Sequence, residues 1–356
     1  MAVGKSSDFG SETDLVTDVE RACTKSILAT IGVGIWYSLL YALIRILTPP
    51  PTPTNGIQKV ISQWMEPGSS SQPAPAWLED FTRDITPIPC HSHNDYWRAV
   101  PLYNALAAGC TGVEADIWLS DNELLVGHNR HSLRKHRTLR SLYIDPLISI
   151  LENQNTPQPF SNSSTLRGVF DTNPNKSVAL LLDFKTDGAL LFPTVEEQLL
   201  PLRQKGYLTY FNGSTVVPGL ITVVGTGNTP FDQVIANSTY RDIFFDAPLS
   251  DLAAESKYTS ENSYYASVSL SKSPGRTWFN KLSSKQVDTI KEQIKVADDR
   301  GLVSRYWDIP AWPVSLRTSV WEVLAQNGVG LLNVDNLAAA SRWNWKFCTV
   351  LGLDLC

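Results

Sequence analysis

The chain has 356 residues, 43% of them hydrophobic and 18% charged, which fits a folded protein of one large domain or two ordinary ones and excludes a mainly disordered chain. A net charge of −5 and a pI near 5.6 lack the basic footprint expected of a nucleic-acid binder. Five cysteines are too few and too scattered for a disulfide scaffold or a zinc site; Cys348 with Cys356 could close a small C-terminal loop in an oxidising compartment.

Residues 1–25 are polar and read as an unstructured tail. Ser26 to Ile44 is uncharged throughout and would span roughly 28 Å as a helix, close to the thickness of a bilayer core. Residues 26–47, Ser26 to Leu47, are therefore expected to form a single-pass signal-anchor helix; a buried core helix is the competing reading. Lys5, Arg21 and Lys25 before it, against Arg45 and Lys59 after it, favour a cytosolic N-terminus with the rest of the chain on the lumenal or extracellular side. Asn162, Asn175, Asn212 and Asn237 begin N-glycosylation sequons. Residues 48–83 read as a linker, because TPPPTPT and EPGSSSQPAP remove backbone donors and stiffen the chain.

From about Asp84 short β-rich runs alternate with helical or loop stretches. The runs are Ile85–His91, Gly112–Trp118, Val178–Lys185, Leu220–Gly225, Ile243–Asp246, Tyr265–Leu270, Val303–Asp308 and Val329–Val334. Several are apolar on successive residues, as strands covered on both faces require. The helical candidates are Leu102–Ala108, Leu142–Glu152, Val195–Lys205, Ser284–Arg300 and Leu316–Gln326. This alternation predicts a (β/α)8 TIM-type barrel over 84–356, with Asp121-Asn122 turning the chain back after the second strand.

All five histidines, His91, His93, His128, His131 and His136, lie between Cys90 and His136. His131 and His136 sit among arginines and lysines and read as surface residues. Chemistry in such a barrel sits at the C-terminal strand ends. There stand His91, the alternating pairs Glu114/Asp116 and Asp183/Lys185, and His128 after the return. Glu114, Asp116 and Asp183 could converge on one divalent ion, and an all-oxygen set suits Mg²⁺, or Ca²⁺, better than zinc. His91 and His128 could act as a proton-transferring pair, one as nucleophile or base and the other as acid. Lys185 could hold a phosphate oxygen. His93, Asn94 and Trp307 are candidate substrate contacts, with orienting, turn-forming and rim-packing roles as their plainer readings.

These motifs resemble those of the phospholipase C-like phosphodiesterase superfamily, which includes the glycerophosphodiester phosphodiesterases. CHSHNDYWRAVPL, GVEADIWL, LVGH, RYWDIPAWP and NVDNL resemble the fungal altered inheritance of mitochondria protein 6 family, over roughly residues 84–345. The resemblance implies a TIM-type barrel, a Mg²⁺ site at Glu114, Asp116 and Asp183, and acid–base histidines His91 and His128. Ser92 stands where the glycerophosphodiester enzymes carry arginine.

The expected function is a membrane-anchored, metal-dependent phosphodiesterase acting on a lipid-like or glycerol-type phosphodiester, by hydrolysis or by cyclic-phosphate formation. Two other functions are compatible with these residues: a barrel without catalysis that serves as a binding or scaffold protein, and an amidohydrolase-like metal hydrolase built on His91-x-His93.

Overall fold

Eight parallel strands close into a barrel. In the computed structural model, which describes residues 12–47, 55–68, 80–156, 165–277, 281–342, 349–350 and 353–354, the barrel strands are Ile88–Ser92, Cys110–Ser120, Val178–Phe184, Ile221–Gly227, Ile243–Pro248, Ser263–Ser269, Val303–Trp307 and Leu331–Val334. Each pairs in parallel with the next, and the eighth returns to pair with the first. Every predicted run overlaps one of these strands, as expected for the (β/α)8 architecture.

Alternation along the strands divides the side chains between two environments. On the third strand, Val178, Leu180, Leu182 and Phe184 join the main core that contains the helices, whereas Ala179 and Leu181 belong to a second cluster with Val224, Tyr265 and Leu331. On the second strand, Val113, Ala115 and Ile117 join the main core, leaving Glu114 and Asp116 on the opposite, inner face.

The covering helices follow from local sequence. Ser283 and Gln286 form a capping box at the start of helix Ser284–Asp299, and Ile290, Ile294 and Ala297 line its buried face. Helix Val314–Gln326 buries Leu316, Val320, Trp321 and Leu324.

Asp121 and Asn122 both have positive φ, 49° and 64°, and turn the second strand into an antiparallel return, Glu123–Val126. Ile117 pairs with Val126, so residue 128 comes back beside Asp116.

Two features depart from the sequence expectations. The stretch expected to be a linker contains a helix, Gly56–Gln63, capped by Asn55. Ile57, Val60, Ile61 and Trp64 fall at i, i+3, i+4 and i+7, and this short stripe packs on the main core; the parts of the stretch at 48–54 and 69–79 lie outside the described residues. Cys90 is also disulfide-bonded to Cys110, a link between the first two strands. Twenty residues separate the two cysteines in sequence, and the parallel pairing of the first two strands brings their Cα atoms to 4.7 Å. Cys348 and Cys356 lie outside the described residues.

The chain divides into two compact units, Met1–Thr52 and Pro53–Cys356. The first contains the helix Glu12–Leu47, within which Cys23–Ile44 has mean hydropathy 2.0 and is long and apolar enough to cross a membrane. A signal sequence or an anchor has the same properties.

Candidate active site

Two adjacent strands bring the carboxylates together. Asp116 and Asp183 are register partners, and Glu114 stands one inward position below Asp116. One oxygen from each of Glu114, Asp116 and Asp183 lies within 4.8 Å of the others. Among the described residues this cluster includes no histidine; His91 and His93, on which an amidohydrolase-like site would be built, stand beside it with Nε2 at 3.7 and 3.9 Å from Glu114 Oε2.

The cluster forms part of a cavity of about 400 Å³ lined by Glu114 and Asp183 together with His93, Asn94, His128, Lys185, Thr226, Gly227, Arg305, Trp307 and Asp308. These residues come from the C-terminal ends of the strands and the loops beyond them, the end where barrel chemistry sits. Gly227 has φ +65°, and a Cβ there would overlap Asp183 Oδ1; a side chain at this position would push the carboxylate out of place.

The electrostatics of the three acids differ. Burial alone would raise the pKa of Glu114, but the Arg305 guanidinium, 3.1 Å from Glu114 Oε2, outweighs it and holds the carboxyl well below the usual range. Arg305 is itself fixed by Asn333 Oδ1 at 2.9 Å. Burial and then the charge of Glu114 push Asp116 up to about 6, against the opposing charge of Lys185. Asp116 Oδ1 is buried and accepts no hydrogen bond. An orphaned carboxylate oxygen within a set of mutually repelling acids is the donor pattern a hard cation satisfies.

Lys185 lies 3.0 Å from Asp116 Oδ2 and also bonds Asp183. Burial would lower its pKa, but the two carboxylates outweigh burial and raise it, so it remains cationic at the cavity wall.

The histidines are arranged differently from the sequence expectation. His91 and His93 both face inward, two residues apart on one strand. His91 occupies the deeper layer. It is fully buried, does not line the cavity, and has Nε2 without a hydrogen-bond partner, 3.7 Å from Glu114 Oε2. Burial, reinforced by Arg305, lowers its pKa to about 4. Gly112 makes room for this ring, since a Cβ there would sit 2.5 Å from His91 Nδ1.

His93 is the first-strand histidine at the cavity. Its Nδ1 is 2.7 Å from Asp335 Oδ1 and its Nε2 is 3.9 Å from Glu114 Oε2. Burial would lower its pKa, but the bond to Asp335 and the charge of Glu114 outweigh burial and raise it. Arg98 ties this corner together by donating to the backbone carbonyls of His93, Val334 and Asp335.

His128 flanks the other side of the cluster, with Nδ1 3.4 Å from Asp116 Oδ2 and 3.2 Å from the Tyr96 hydroxyl. That hydroxyl also lies 2.8 Å from Asp116 Oδ2 and 2.6 Å from Asn94 Oδ1. Asn94 has a left-handed backbone, φ 47° and ψ 47°, so it both turns the chain and lines the cavity. Trp97 packs on the His128 ring at 4.9 Å between centroids.

Sequence reasoning missed Arg305 and Tyr96. Arg305 had a signal of its own, since an arginine within the strand VSRYW, covered on both faces, is as costly as the buried acids and requires a partner. Tyr96 had none, because its contacts depend on how the loop after the first strand folds over the hairpin.

The closed parallel barrel carries an acidic cluster flanked by two histidines, and residues 79–246 match the family described as the AIM6-like phosphodiesterase domain. The chain belongs to the altered inheritance of mitochondria protein 6 family. It is 44% identical over 274 residues to the Altered inheritance of mitochondria protein 6 homolog of Arthroderma benhamiae, covering 74% of this chain and 86% of that protein. It is 36% identical over 298 residues to Altered inheritance of mitochondria protein 6 of Eremothecium gossypii, covering 79% and 75%. Among solved structures, the phosphatidylinositol-specific phospholipase C of Listeria monocytogenes aligns over 72% of this chain and 93% of its own, with TM-score 0.37 and 12% identity.

Proposed function

We propose that the barrel is a metal-dependent phosphodiesterase acting on a lipid-like or glycerol-type phosphodiester, with His93 and His128 as its acid–base pair. The observation that carries this reading is the placement of the two histidines beside Glu114 and Asp116 respectively, in one cavity whose wall also holds the cations Lys185 and Arg305. His91, the sequence-based candidate, lacks access to that cavity; its role is to support Glu114 from below.

Glu114, Asp116 and Asp183 would hold the ion, and their oxygens suit Mg²⁺, with Ca²⁺ as the alternative. When bound, the ion would supply Lewis-acid stabilisation of a non-bridging phosphate oxygen. The remaining steps belong to the chain. Asp335 accepts from His93 Nδ1–H and so leaves Nε2 free to take a proton from the attacking hydroxyl. His128 donates a proton to the leaving oxygen. Lys185 and Arg305 offset charge that develops on the phosphate. Attack by water hydrolyses the diester; attack by a hydroxyl of the substrate gives a cyclic phosphate.

The apolar helix Cys23–Ile44 supports a single-pass membrane attachment and a lipid-like substrate. Trp307 in the cavity wall and Trp97 against His128 offer aromatic surface for an apolar or glycerol moiety. The buried Cys90–Cys110 disulfide supports placing the barrel on the lumenal or extracellular side.

The test uses the full-length chain in detergent with a chromogenic phosphodiester. Turnover should require Mg²⁺ and disappear with a chelator. His93→Ala and His128→Ala should each lower kcat by about 10²-fold or more, and His91→Ala by less. Turnover surviving in the His93→Ala/His128→Ala double variant would remove the assigned roles. If calorimetry detects no Mg²⁺ binding and no diester is cleaved, the barrel is a scaffold and not an enzyme.

A further inference from the structure

Three of the four sequons fall within described residues: Asn175-Lys176-Ser177, Asn212-Gly213-Ser214 and Asn237-Ser238-Thr239. All three asparagines are exposed. Each precedes a barrel strand. Asn175 lies just before Val178–Phe184, Asn212 caps the small hairpin of Tyr210–Phe211 and Val216–Val217 that leads into Ile221–Gly227, and Asn237 comes shortly before Ile243–Pro248. Because the strands are parallel, the three share the N-terminal end of the barrel, whereas Asp183, Trp307 and Asp308 mark the opposite end.

The side-chain chemistry is suitable. Asn212 Oδ1 accepts from the backbone N–H groups of Ser214 and Thr215, at 3.0 and 2.9 Å. Asn237 Oδ1 accepts from the N–H groups of Thr239 and Tyr240, both at 3.0 Å, and from the Thr239 hydroxyl at 2.9 Å. The fold uses the amide oxygens and, among the described residues, leaves both Nδ2 groups without a hydrogen bond. A second, independent observation is the disulfide Cys90–Cys110, which marks a chain that folds in an oxidising compartment, where N-linked transfer takes place.

We propose that Asn175, Asn212 and Asn237 are N-glycosylated, and that the glycans occupy the end of the barrel opposite the cavity. In the transfer, Nδ2 forms a bond to C1 of the sugar and loses a proton to the transferase. The C1–O bond of a lipid-linked pyrophosphoryl oligosaccharide breaks, and the pyrophosphate departs with the bonding electrons. Because every acceptor is exposed and away from the cavity, bulky sugars at all three positions are compatible with the folded barrel and leave the mouth open to substrate.

The test is expression of the full-length chain in a yeast host, followed by release of the glycans with a peptide-N-glycan amidase in heavy-oxygen water and peptide mass spectrometry. Peptides containing Asn175, Asn212 and Asn237 should each carry the heavy-oxygen aspartate left by glycan release, and treatment should increase gel mobility. Ser177→Ala, Ser214→Ala and Thr239→Ala remove the sequons while keeping each asparagine and its amide; each should abolish the label at its own site. Because the label is read on the parent protein, a folding defect in any one variant does not decide the outcome. Label confined to Asn162, or absent altogether, would overturn the proposal.

Discussion

The interior of the barrel has two layers built by the same strands with opposite physics. Toward the N-terminal ends, Ala179, Leu181, Val224, Tyr265 and Leu331 fill the space as an apolar plug. At the next inward position on the second and third strands stand Asp116 and Asp183, while Glu114 and Arg305 border the plug in register with Leu181 and Leu331. Burying a leucine stabilises the fold by about 2 kcal/mol, whereas burying an ion costs several kcal/mol before its partners offset it. The acidic layer is therefore poor at stability. The orphaned Asp116 Oδ1 and the raised pKa of Asp116 are where this cost remains visible. Substitutions in the two layers should separate stability from activity.

The largest effect is expected at Asp116. Asp116→Asn should lower kcat by about 10³-fold and weaken Mg²⁺ binding in calorimetry, while the melting temperature stays level or rises because a repelling charge has gone. A large fall in melting temperature would place Asp116 among the structural residues. Arg305→Met should destabilise the fold by about 3–4 kcal/mol in urea unfolding, because Glu114 and Asp246 lose their buried counter-charge; an unchanged midpoint would mean that Glu114 is neutralised in another way. In the plug, Leu181→Ala should cost about 3 kcal/mol yet leave kcat within about twofold while the protein remains folded. A kcat that falls with stability would show that the layers are coupled.

The smallest expected effect concerns pH. Burial, opposed by Arg305, pushes Asp246 up to about 6 in the folded state, above its ordinary value of 3.8. A raised acid contributes stability that is present below the unfolded pKa and is lost as pH rises through the folded one. Wild-type stability should thus decline between about pH 4 and 6, and Asp246→Asn should flatten that decline by up to about 3 kcal/mol. An identical slope in the two proteins would remove Asp246 as its source.

Much of this was legible in the chain because periodicity is local. Eight apolar runs and their alternation with helices specify a barrel, and Glu-x-Asp on one strand has to place both acids on one face whatever surrounds it. The Asp121-Asn122 turn likewise fixes the return that brings His128 to Asp116. Cysteine pairing and the histidine assignment were not legible, for one shared reason. His91 and His93 have the same parity, so sequence cannot distinguish the layer beneath the carboxylates from the layer at the cavity. That depends on how deep the first strand sits between its neighbours.

The sequence alone determined the strand count, the inward acids, the apolar N-terminal segment and the family. Only the tertiary structure decided that His93 with Asp335, and not His91, faces the cavity, that Arg305 balances Glu114, that Cys90 meets Cys110, and that the three described sequons share one end. The histidine and arginine placements rest on contacts between strands distant in sequence, which the closure and register of the barrel set; the disulfide rests on the pairing of the first two strands, and the shared end on the parallel course of all eight.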